Sequence, residues 1–514
     1  MTYKGAIAFT IFVILLALSG CKEVSKKPNF LIFLADDLGY GDVKFTNPDA
    51  FIETPNLDIL AASGAILSDC YSASSMCSPS RAGLLTGRTP TRIGIHDWIK
   101  EAYKKPFSNI HLPASETTIS ELLQADGYST AIVGKWHLNN GFDMGNNSDP
   151  NDHGFDYWFA SAGQSEPSHK NPSNFFENGQ AVGQIGNKDD PKFSSNIVAE
   201  KAIEWLSNID SDHSFFLYVP FHEPHVICNA PEQLKTKYLD LISEGKIPLI
   251  ENTGDHGLGQ AEYYACVENM DASIGMILDY LDKADQRDNT WIFFSSDNGP
   301  DTGRKYHGRV QSVGQSKPFR GRKRWILEGG IHQASIVSKP GSIKPGTVIS
   351  TPIGHVDLLP TICEIAGINV TSIKLDGSSV LANVSGQDIK RAGTPLHWHF
   401  YSPRGDSPQS VLRKEQWVIT ANWDTPRPGG RFDLDYIEFI KASQLIEFKL
   451  FNIISDPSQS TPLNAEYPHI LQELSKELID IHKDVITDCP DRSQFSWTSE
   501  LENIVDSRYP KKKE

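Results

Sequence analysis

The segment NFLIFLADD at residues 29–37 carries the clearest indication of fold class in this chain. Its seven apolar or neutral residues form an unbroken run of strand length, which is typical of a strand buried on both faces. Similar runs recur at residues 129–133, 214–219 and 290–295, and helical patterns lie between them. Strands that alternate with helices predict an α/β fold in which helices sandwich a mostly parallel central sheet.

A change of composition predicts a second, smaller domain. Residues 375–394 are rich in Gly, Ser and Asn, and a strand-like pattern restarts at LHWHFY, residues 396–401. Two further strand candidates and a helical pattern at residues 468–483 follow. We therefore predict a main domain over residues 29–385 and a C-terminal α+β domain with an antiparallel sheet over residues 386–514.

The first residues have the pattern of an export signal. Lys4 precedes an apolar run at residues 6–18, which is shorter than the roughly 20 residues of a membrane-spanning helix. The run ends in LSGC, which resembles the lipobox of bacterial lipoproteins. We predict a lipoprotein signal peptide over residues 1–20, lipidation of Cys21 and a tether over residues 21–28. No Asp follows Cys21, which favours the outer membrane or the cell surface.

Charge and cysteine content exclude two further classes. The formal net charge of −16 argues against a nucleic-acid partner, because phosphate backbones require a basic surface. The chain has seven cysteines without regular spacing. Setting aside Cys21 and the nucleophile candidate Cys77 leaves an odd number, so a disulfide framework is not expected, although one bridge is possible.

The most informative motif is CSPSRAGLLTGR at residues 77–88. It resembles the C-x-P-S-R and L-L-T-G-R signature of type I, formylglycine-dependent sulfatases, which belong to the alkaline phosphatase-like superfamily and include bacterial polysaccharide sulfatases and arylsulfatases. The resemblance implies that a formylglycine-generating enzyme or a radical maturase oxidises Cys77 to formylglycine, whose hydrated aldehyde is the nucleophile. It also implies that Arg81 orients this group, and that the main domain is the catalytic domain.

A second motif, GYSTAIVGKWH at residues 127–137, resembles the other sulfatase signature. By that resemblance Lys135 binds a sulfate oxygen and His137 is the base. The segment HEPH at residues 222–225 resembles the family's H-x-P-H, which implies that His222 contacts the sulfate and protonates the leaving alcohol. His225 is then expected to shape the substrate pocket.

A third segment, FRGRK at residues 319–323 followed by EGG at residues 328–330, resembles the family's L-R-G-x-K and E-G-G block. It implies that Lys323 is the second sulfate-binding lysine. Two departures stand nearby. Phe319 replaces the usual Leu, and His332 stands where many members carry Arg. The specific resemblance covers residues 29–367.

Metal ligands are predicted at the ends of two apolar runs. Asp36 and Asp37 follow the first run, and Asp297 and Asn298 follow another. Hard oxygen atoms favour Ca²⁺ or Mg²⁺. The family implies one Ca²⁺ here, with the group made from Cys77 as a further ligand, and Mg²⁺ is the alternative.

A basic stretch suggests the substrate. Against one acid, Asp301, it contains Arg304, Lys305, Arg309, Lys317, Arg320, Arg322, Lys323 and Arg324. The stretch is either a basic rim for an anionic polymer or a loop that pairs with acids elsewhere. We further expected His397, Trp398, His399 and Tyr401 to offer a surface on which sugars stack.

These features lead to one preferred function and two alternatives. The preferred function is hydrolysis of sulfate esters on a sulfated polysaccharide or its oligosaccharides, for example algal ulvan, carrageenan or a glycosaminoglycan. One alternative is a formylglycine-dependent phosphodiester or phosphonate hydrolase. The other is a non-catalytic, polysaccharide-binding surface lipoprotein.

Overall fold

The structure is a computed structural model that describes residues 26–99, 109, 111–142, 148–210, 213–387, 389–401, 403, 407–425 and 436–491. The predicted signal peptide and Cys21 lie outside the described residues. None of the helices in these ranges has the length and apolar composition that a bilayer span requires.

The strands fall into a large sheet, a small ribbon and a second sheet. In chain order they are β1 (Asn29–Ala35), β2 (Ala65–Tyr71), β3 (Ser129–Lys135), β4 (Tyr157–Ser161), β5 (Phe175–Glu177), β6 (Gln180–Ala181), β7 (Phe215–Pro220), β8 (Thr290–Ser296), β9 (Lys305–Tyr306), β10 (Arg309–Val310), β11 (His332–Ser338), β12 (Thr347–Ile349), β13 (Ile353–Gly354), β14 (Leu396–Phe400), β15 (Gln409–Lys414), β16 (Trp417–Trp423) and β17 (Leu445–Asn452).

The α-helices lie mainly between the strands of the large sheet. In chain order they are α1 (Pro55–Ser63), α2 (Cys77–Thr86), α3 (Pro90–Ile93), α4 (Ile119–Ala125), α5 (Ser194–Asn208), α6 (Glu232–Ser243), α7 (Leu258–Lys283), α8 (Glu328–Ile331), α9 (Leu358–Ala366), α10 (Leu381–Val384), α11 (Tyr436–Ala442) and α12 (Pro468–Asp488).

The large sheet has the strand order β12-β2-β11-β8-β1-β7-β3-β4-β5-β6, with β13 also paired to β2. Its centre is parallel, because β1 pairs in parallel with both β7 and β8, and β3 with both β7 and β4. Strand β11 is antiparallel to both of its neighbours. The predicted fold class, a mostly parallel sheet between helices, is confirmed.

Strand β1 shows why its sequence is apolar throughout. Leu31 and Phe33 belong to the hydrophobic cluster beneath α1, α5, α6 and α7, whereas Phe30 and Ile32 belong to the cluster beneath α2, α4 and α9. Successive side chains of a strand point to opposite faces, so a strand covered on both sides needs an apolar residue at every position.

Strands β14 to β17 form a separate antiparallel sheet. Leu412 and Ile419 pack with Leu474 and Leu478 of α12, while the opposite face packs against the main body of the molecule. The predicted small C-terminal sheet with a helix is thus present. Residue 385, where we predicted the domain boundary, lies between α10 and β14.

The expected sugar-stacking surface at residues 397–401 is wrong. His397, Trp398, His399 and Tyr401 are all buried. The Trp398 indole donates to the Ser72 carbonyl at 2.8 Å, and the two histidine rings contact each other. Trp398 fills the junction with the main body, whereas His399 lies on the opposite face of β14 and contacts His482 of α12, because successive strand residues point to opposite faces.

Candidate active site

The polar segments predicted from sequence converge at one edge of the large sheet. Strands β1, β3, β7 and β8 are parallel, so their carboxyl ends meet there, and α2 begins at the same place with Cys77. Ligands of open parallel sheets bind at this edge. The fold thereby brings together side chains that lie far apart in sequence.

Cys77 lies at the bottom of a narrow pocket and is 2% exposed. Its Sγ accepts a hydrogen bond from Lys323 Nζ at 3.0 Å and lies 3.6 Å from Asp36 Oδ1. Burial raises the pKa of the Cys77 thiol to about 12. A thiol with this pKa is protonated at neutral pH, so Cys77 is a poor nucleophile in its unmodified form.

Three carboxylates surround the cysteine. Asp36, Asp37, Asp297 and Cys77 are buried, and each places one ligand atom within 4.8 Å of the others. Burial and the charge of Asp36 raise the pKa of Asp297 to about 7. Burial opposes ionisation of Asp36 as well, but the charges of Lys135, His225 and Arg81 hold its pKa well below the usual range. Such crowding of acids is stabilised by cations.

The donor set fits a hard divalent cation. Asn298 Nδ2 donates to Asp37 Oδ1 at 2.6 Å, whereas the Asn298 Oδ1 atom is buried and has no hydrogen-bond partner among the described residues. A carbonyl oxygen left unsatisfied beside three carboxylates is suited to coordinate a metal ion. Carboxylate and amide oxygens are the ligands of Ca²⁺ and Mg²⁺.

Two lysines and one arginine supply positive charge. Lys135 Nζ contacts Asp36 Oδ2 at 2.5 Å, and Lys323 Nζ contacts Asp37 Oδ1 at 2.6 Å. Arg81 lies one helical turn after Cys77 and pairs with Asp297 at 2.7 Å. All three cations are buried around the cysteine, where each is positioned to attract an anion.

The neighbours of His137 define its tautomer. Its Nε2 lies 2.6 Å from the Ile99 carbonyl, which can only accept, so Nε2 carries the proton. Its Nδ1 therefore bears a lone pair, and within the described part of the chain this buried atom has no hydrogen-bond partner. Burial, with Lys135 and Arg81 nearby, lowers the pKa of His137 well below its usual value. His137 is thus a neutral imidazole that can accept a proton.

His222 is held in the same way. The Ser161 hydroxyl donates to the Gly163 carbonyl at 2.7 Å, so it accepts from His222 Nε2, also at 2.7 Å. The His222 Nδ1 atom is buried, and none of the residues that the structure describes forms a hydrogen bond with it. His225 lines the pocket above Cys77, and its Nε2 lies 3.8 Å from Asp37 Oδ2. Burial lowers the pKa of His225 to about 4.

The two departures from the family pattern contact each other. The rings of Phe319 and His332 stack with centroids 4.2 Å apart, and Tyr40 packs edge-on against both. His332 Nδ1 also lies 2.8 Å from Glu328 Oε2. A ring at position 319 and a ring at position 332 therefore form one packing unit.

Some residues of the basic stretch pair with acids, and others line the pocket of Cys77. Arg304 pairs with Asp301 and Arg309 with Glu262, as expected of a loop that pairs with acids. Lys323 reaches the cysteine, and Arg324 lines the pocket above it together with Arg304. The stretch is thus only in part an open basic rim.

Three site residues were not singled out from the sequence. Trp98 and Gln164 line the pocket above Cys77, and both also line a larger cavity beside it. Ser161 orients His222. Ser161 ends β4, next to β3 in the sheet, so its place at the carboxyl edge was the only available signal.

Cations grouped around a buried nucleophile position, with neutral imidazoles beside them, define a hydrolase that acts on esters of an anionic acid. The comparisons with known proteins narrow this class.

The sulfatase family profile matches residues 28–368, which is more than half of the chain. Arylsulfatase A of Bos taurus is 32% identical over 477 residues, covering 91% of this chain and 85% of the relative. N-acetylgalactosamine-6-sulfatase of Homo sapiens is 28% identical over 511 residues, covering 93% of this chain and 90% of the relative. The crystal structure of Ps i-CgsB in complex with k-i-k-neocarrahexaose is similar with a TM-score of 0.72 and 25% identity, covering 94% of this chain and 98% of that one. The chain belongs to the sulfatase family and is a sulfuric ester hydrolase.

Proposed function

We propose that this sulfatase removes sulfate from a sulfated polysaccharide or its oligosaccharides, using formylglycine made from Cys77 and one Ca²⁺. The observation that carries the choice of a saccharide is a cavity of about 460 Å³ beside the pocket of Cys77. The two share Trp98, His137 and Gln164. A group attached to a sulfate at Cys77 therefore has space to extend into this cavity.

The lining of the cavity is suited to a sugar. It combines aromatic rings with side-chain amides, namely Trp98, Phe142, Phe176, Asn139, Asn140, Gln164 and Asn174. Aromatic faces pack on the C–H faces of sugars, and amides donate and accept hydrogen bonds with hydroxyl groups. Relatives named N-acetylgalactosamine-6-sulfatase and a solved relative in complex with a neocarrahexaose add support for this substrate class.

The cationic side chains bind the sulfate. Lys135 and Lys323 both approach Cys77 from buried positions, so a sulfate oxygen placed there receives charge-assisted hydrogen bonds. Arg81 holds Asp297 in place through its paired N–H groups. Formylglycine at position 77, with Ca²⁺ held by Asp36, Asp37, Asp297 and Asn298, supplies a hydroxyl nucleophile of lowered pKa.

The two histidines move the protons. His137 Nδ1 bears the lone pair that accepts a proton from the group at position 77. His222 is neutral in the free site, because burial lowers its pKa well below the usual value. A bound sulfate raises the pKa of this imidazole by its negative charge, so that His222 can carry a proton to the leaving alcohol.

The decisive experiment combines substrate and nucleophile. Protein made in a host that contains the maturase is incubated with sulfated oligosaccharides of carrageenan, ulvan and glycosaminoglycan type, and sulfate release is measured beside that of Cys77→Ala. We expect release from at least one saccharide and none from the variant. Sulfate release from an aryl sulfate alone would refute the proposal of a saccharide substrate. A rate on an aryl phosphodiester that exceeds the rate on sulfate esters would favour the phosphodiesterase alternative.

A mass spectrum of the peptide that bears residue 77 tests the modification itself. An aldehyde in place of the thiol supports formylglycine, and an unmodified thiol in fully active protein would refute it.

We further propose that the enzyme is exported and held on the outer membrane by a lipid on Cys21. The apolar run at residues 6–18 and the LSGC motif support this location. In a bacterial host, labelled palmitate should enter the wild-type protein and not Cys21→Ser, which should leave the membrane fraction. An unlabelled wild-type protein in the soluble fraction would contradict the anchor.

A further inference from the structure

We infer that a second site, which binds a sulfated or carboxylated sugar residue, lies between the loop at residues 320–327 and the C-terminal sheet. The inference rests on the proposed function, because it assumes a substrate of more than one sugar unit. The site is a cavity of about 630 Å³, separate from the one that adjoins Cys77. It is large enough for one sugar residue with its anionic substituent.

The two walls of the cavity come from different parts of the chain. Arg320, Arg322 and Trp325 line it from the loop, and Thr420 and Lys449 line it from strands β16 and β17. Thr420 and Lys449 are direct cross-strand partners, so both side chains project from the same face of the sheet. The site therefore exists only where the second sheet packs on the main body.

The charge of the lining points to an anion. Among the residues that the structure describes, the lining contains three cations and no Asp or Glu. Arg320 and Lys449 are exposed and form no ion pair within the described part of the chain, and the contacts of Arg320 and Arg322 are to backbone carbonyls. In a chain of net charge −16, such a group of cations without acidic partners is suited to a sulfate or carboxylate.

The remaining lining is suited to the sugar that carries this anion. Trp325 is partly exposed and contributes an aromatic side chain to the lining. Gln409, Thr420 and Ser460 contribute groups that can donate and accept hydrogen bonds. A free inorganic anion needs no aromatic surface, so the mixture favours an anionic sugar.

The loop links this cavity to the reaction site. Arg322 lines the cavity, Lys323 contacts Cys77, and Arg324 lines the pocket above Cys77. Two residues of extended chain span at most about 7 Å between Cα atoms. The cavity and the pocket of Cys77 are therefore lined by neighbouring residues of one loop, a separation that the proposed oligosaccharide would span.

The test compares a long and a short substrate. We would measure kcat/KM of wild type, of the double variant Arg320→Gln with Lys449→Gln, and of Lys344→Gln, an exposed cation that precedes β12 and lies outside the cavity. On a sulfated hexasaccharide the double variant should lose about tenfold in kcat/KM, and added salt should reduce this loss. On an aryl sulfate the double variant should match the wild type, and Lys344→Gln should match it on both substrates.

Equal kcat/KM of wild type and double variant on the hexasaccharide, with aryl sulfate turnover intact, would overturn the second site and leave the proposed function standing. If the wild type releases no sulfate from any saccharide, the proposed function fails. The second site is then tested by binding. We would compare the affinity of the hexasaccharide for Cys77→Ala with its affinity for the triple variant that also carries Arg320→Gln and Lys449→Gln. A weaker affinity of the triple variant supports the second site, and an equal affinity overturns it. Competition by a galacturonate hexasaccharide distinguishes carboxylate from sulfate as the preferred group.

Discussion

At position 137 one carbonyl group determines the chemistry of a side chain. The Ile99 carbonyl fixes the proton on His137 Nε2, and the buried Nδ1 is left as an acceptor. The backbone at His137 has a φ of 56°, in the left-handed region that few non-glycine residues adopt. Strain of this kind occurs where a side chain must point in one direction.

Replacing this base should slow the chemical step. We expect His137→Ala to lower kcat on an aryl sulfate by about 10²–10⁴-fold, with a smaller change in KM, because general base catalysis acts in the transition state. Steady-state kinetics of modified protein measure this. A suitable control is His153→Ala, which removes another fully buried imidazole and should retain kcat. Equal losses in both variants would indicate a structural effect instead.

The ring pair at positions 319 and 332 should contribute to stability as a unit. Because the two rings stack, Phe319→Leu should lower the free energy of unfolding less in a His332→Gln background than in the wild type. We expect a coupling energy of about 0.5–1.5 kcal/mol from a double-mutant cycle of urea unfolding. Additive costs would show that the two departures from the family pattern are independent.

At the scale of elements, prediction succeeded where one residue pattern was sufficient. The apolar runs of β1, β3, β7 and β8 identified the centre of the sheet, since a strand buried on both faces has no polar position. Strands β2 and β11 were not predicted. They contain Ser, Asp, His and Gln, and these polar groups are satisfied by partners such as Glu328 and the Ser68 carbonyl. Only the tertiary structure supplies such partners.

His482 of α12, buried against His399 of β14, makes the packing of this helix on the C-terminal sheet sensitive to acid. His399 contacts His397 on one side and His482 on the other. Burial lowers the pKa of His482 to about 4, although the Ser443 carbonyl and Asp424 act in the opposite direction. As pH falls from about 6.5 to about 4, the unfolded chain takes up a proton at this position before the folded one does, so stability is lost in that window.

Removing this imidazole should reduce the acid sensitivity. We expect the unfolding free energy of His482→Gln to fall less than that of the wild type between about pH 7.5 and about pH 5, by about 2 kcal/mol. Urea titrations at the two pH values measure the difference. The Ser443 hydroxyl hydrogen bonds to His482 Nε2 and can bond equally to a glutamine amide at this position, so the variant should remain folded at neutral pH. An equal fall in both proteins would mean that His482 is not responsible.

At the scale of the whole molecule, buried charges of both signs are concentrated in one place, the site at the carboxyl edge of the large sheet. The chain carries a net charge of −16, yet Arg81, Lys135 and Lys323 are concentrated at the end of one sheet. They balance the cluster of Asp36, Asp37 and Asp297. A divalent cation bound there should therefore stabilise the folded state as a whole, because the unfolded chain offers no such cluster.

Chelation tests this expectation without measuring activity. We expect removal of Ca²⁺ to lower Tm by a few degrees, because a ligand at a concentration a hundredfold above its Kd stabilises the folded state by about 2.7 kcal/mol. Added Ca²⁺ should restore Tm more fully than added Mg²⁺. Asp297→Asn should lose the response. The matched control Asp271→Asn changes a buried acid that bonds Asn56 and Leu57, so it should keep the response. A wild-type Tm that does not respond to Ca²⁺ would rule out this site as the binding site.

Most of the site was predictable because short motifs follow the strands. Lys135, His222 and Asp297 each stand within two residues of a strand end, and strand ends meet at one edge of a parallel sheet. Trp98, Gln164 and the cavity beside Lys449 were not predictable. Their place depends on loops and on how the second sheet packs, and no local pattern encodes either.

The burial of Cys77 also bears on the order in which the chain folds and the proposed oxidation of this residue takes place. The side chain is 2% exposed, and it opens a helix whose residues are all buried. The maturase of the proposed function needs access to this side chain, and the folded chain leaves it almost no exposed surface. Under this proposal oxidation precedes folding, so fast folding should lower the fraction of the chain that is oxidised.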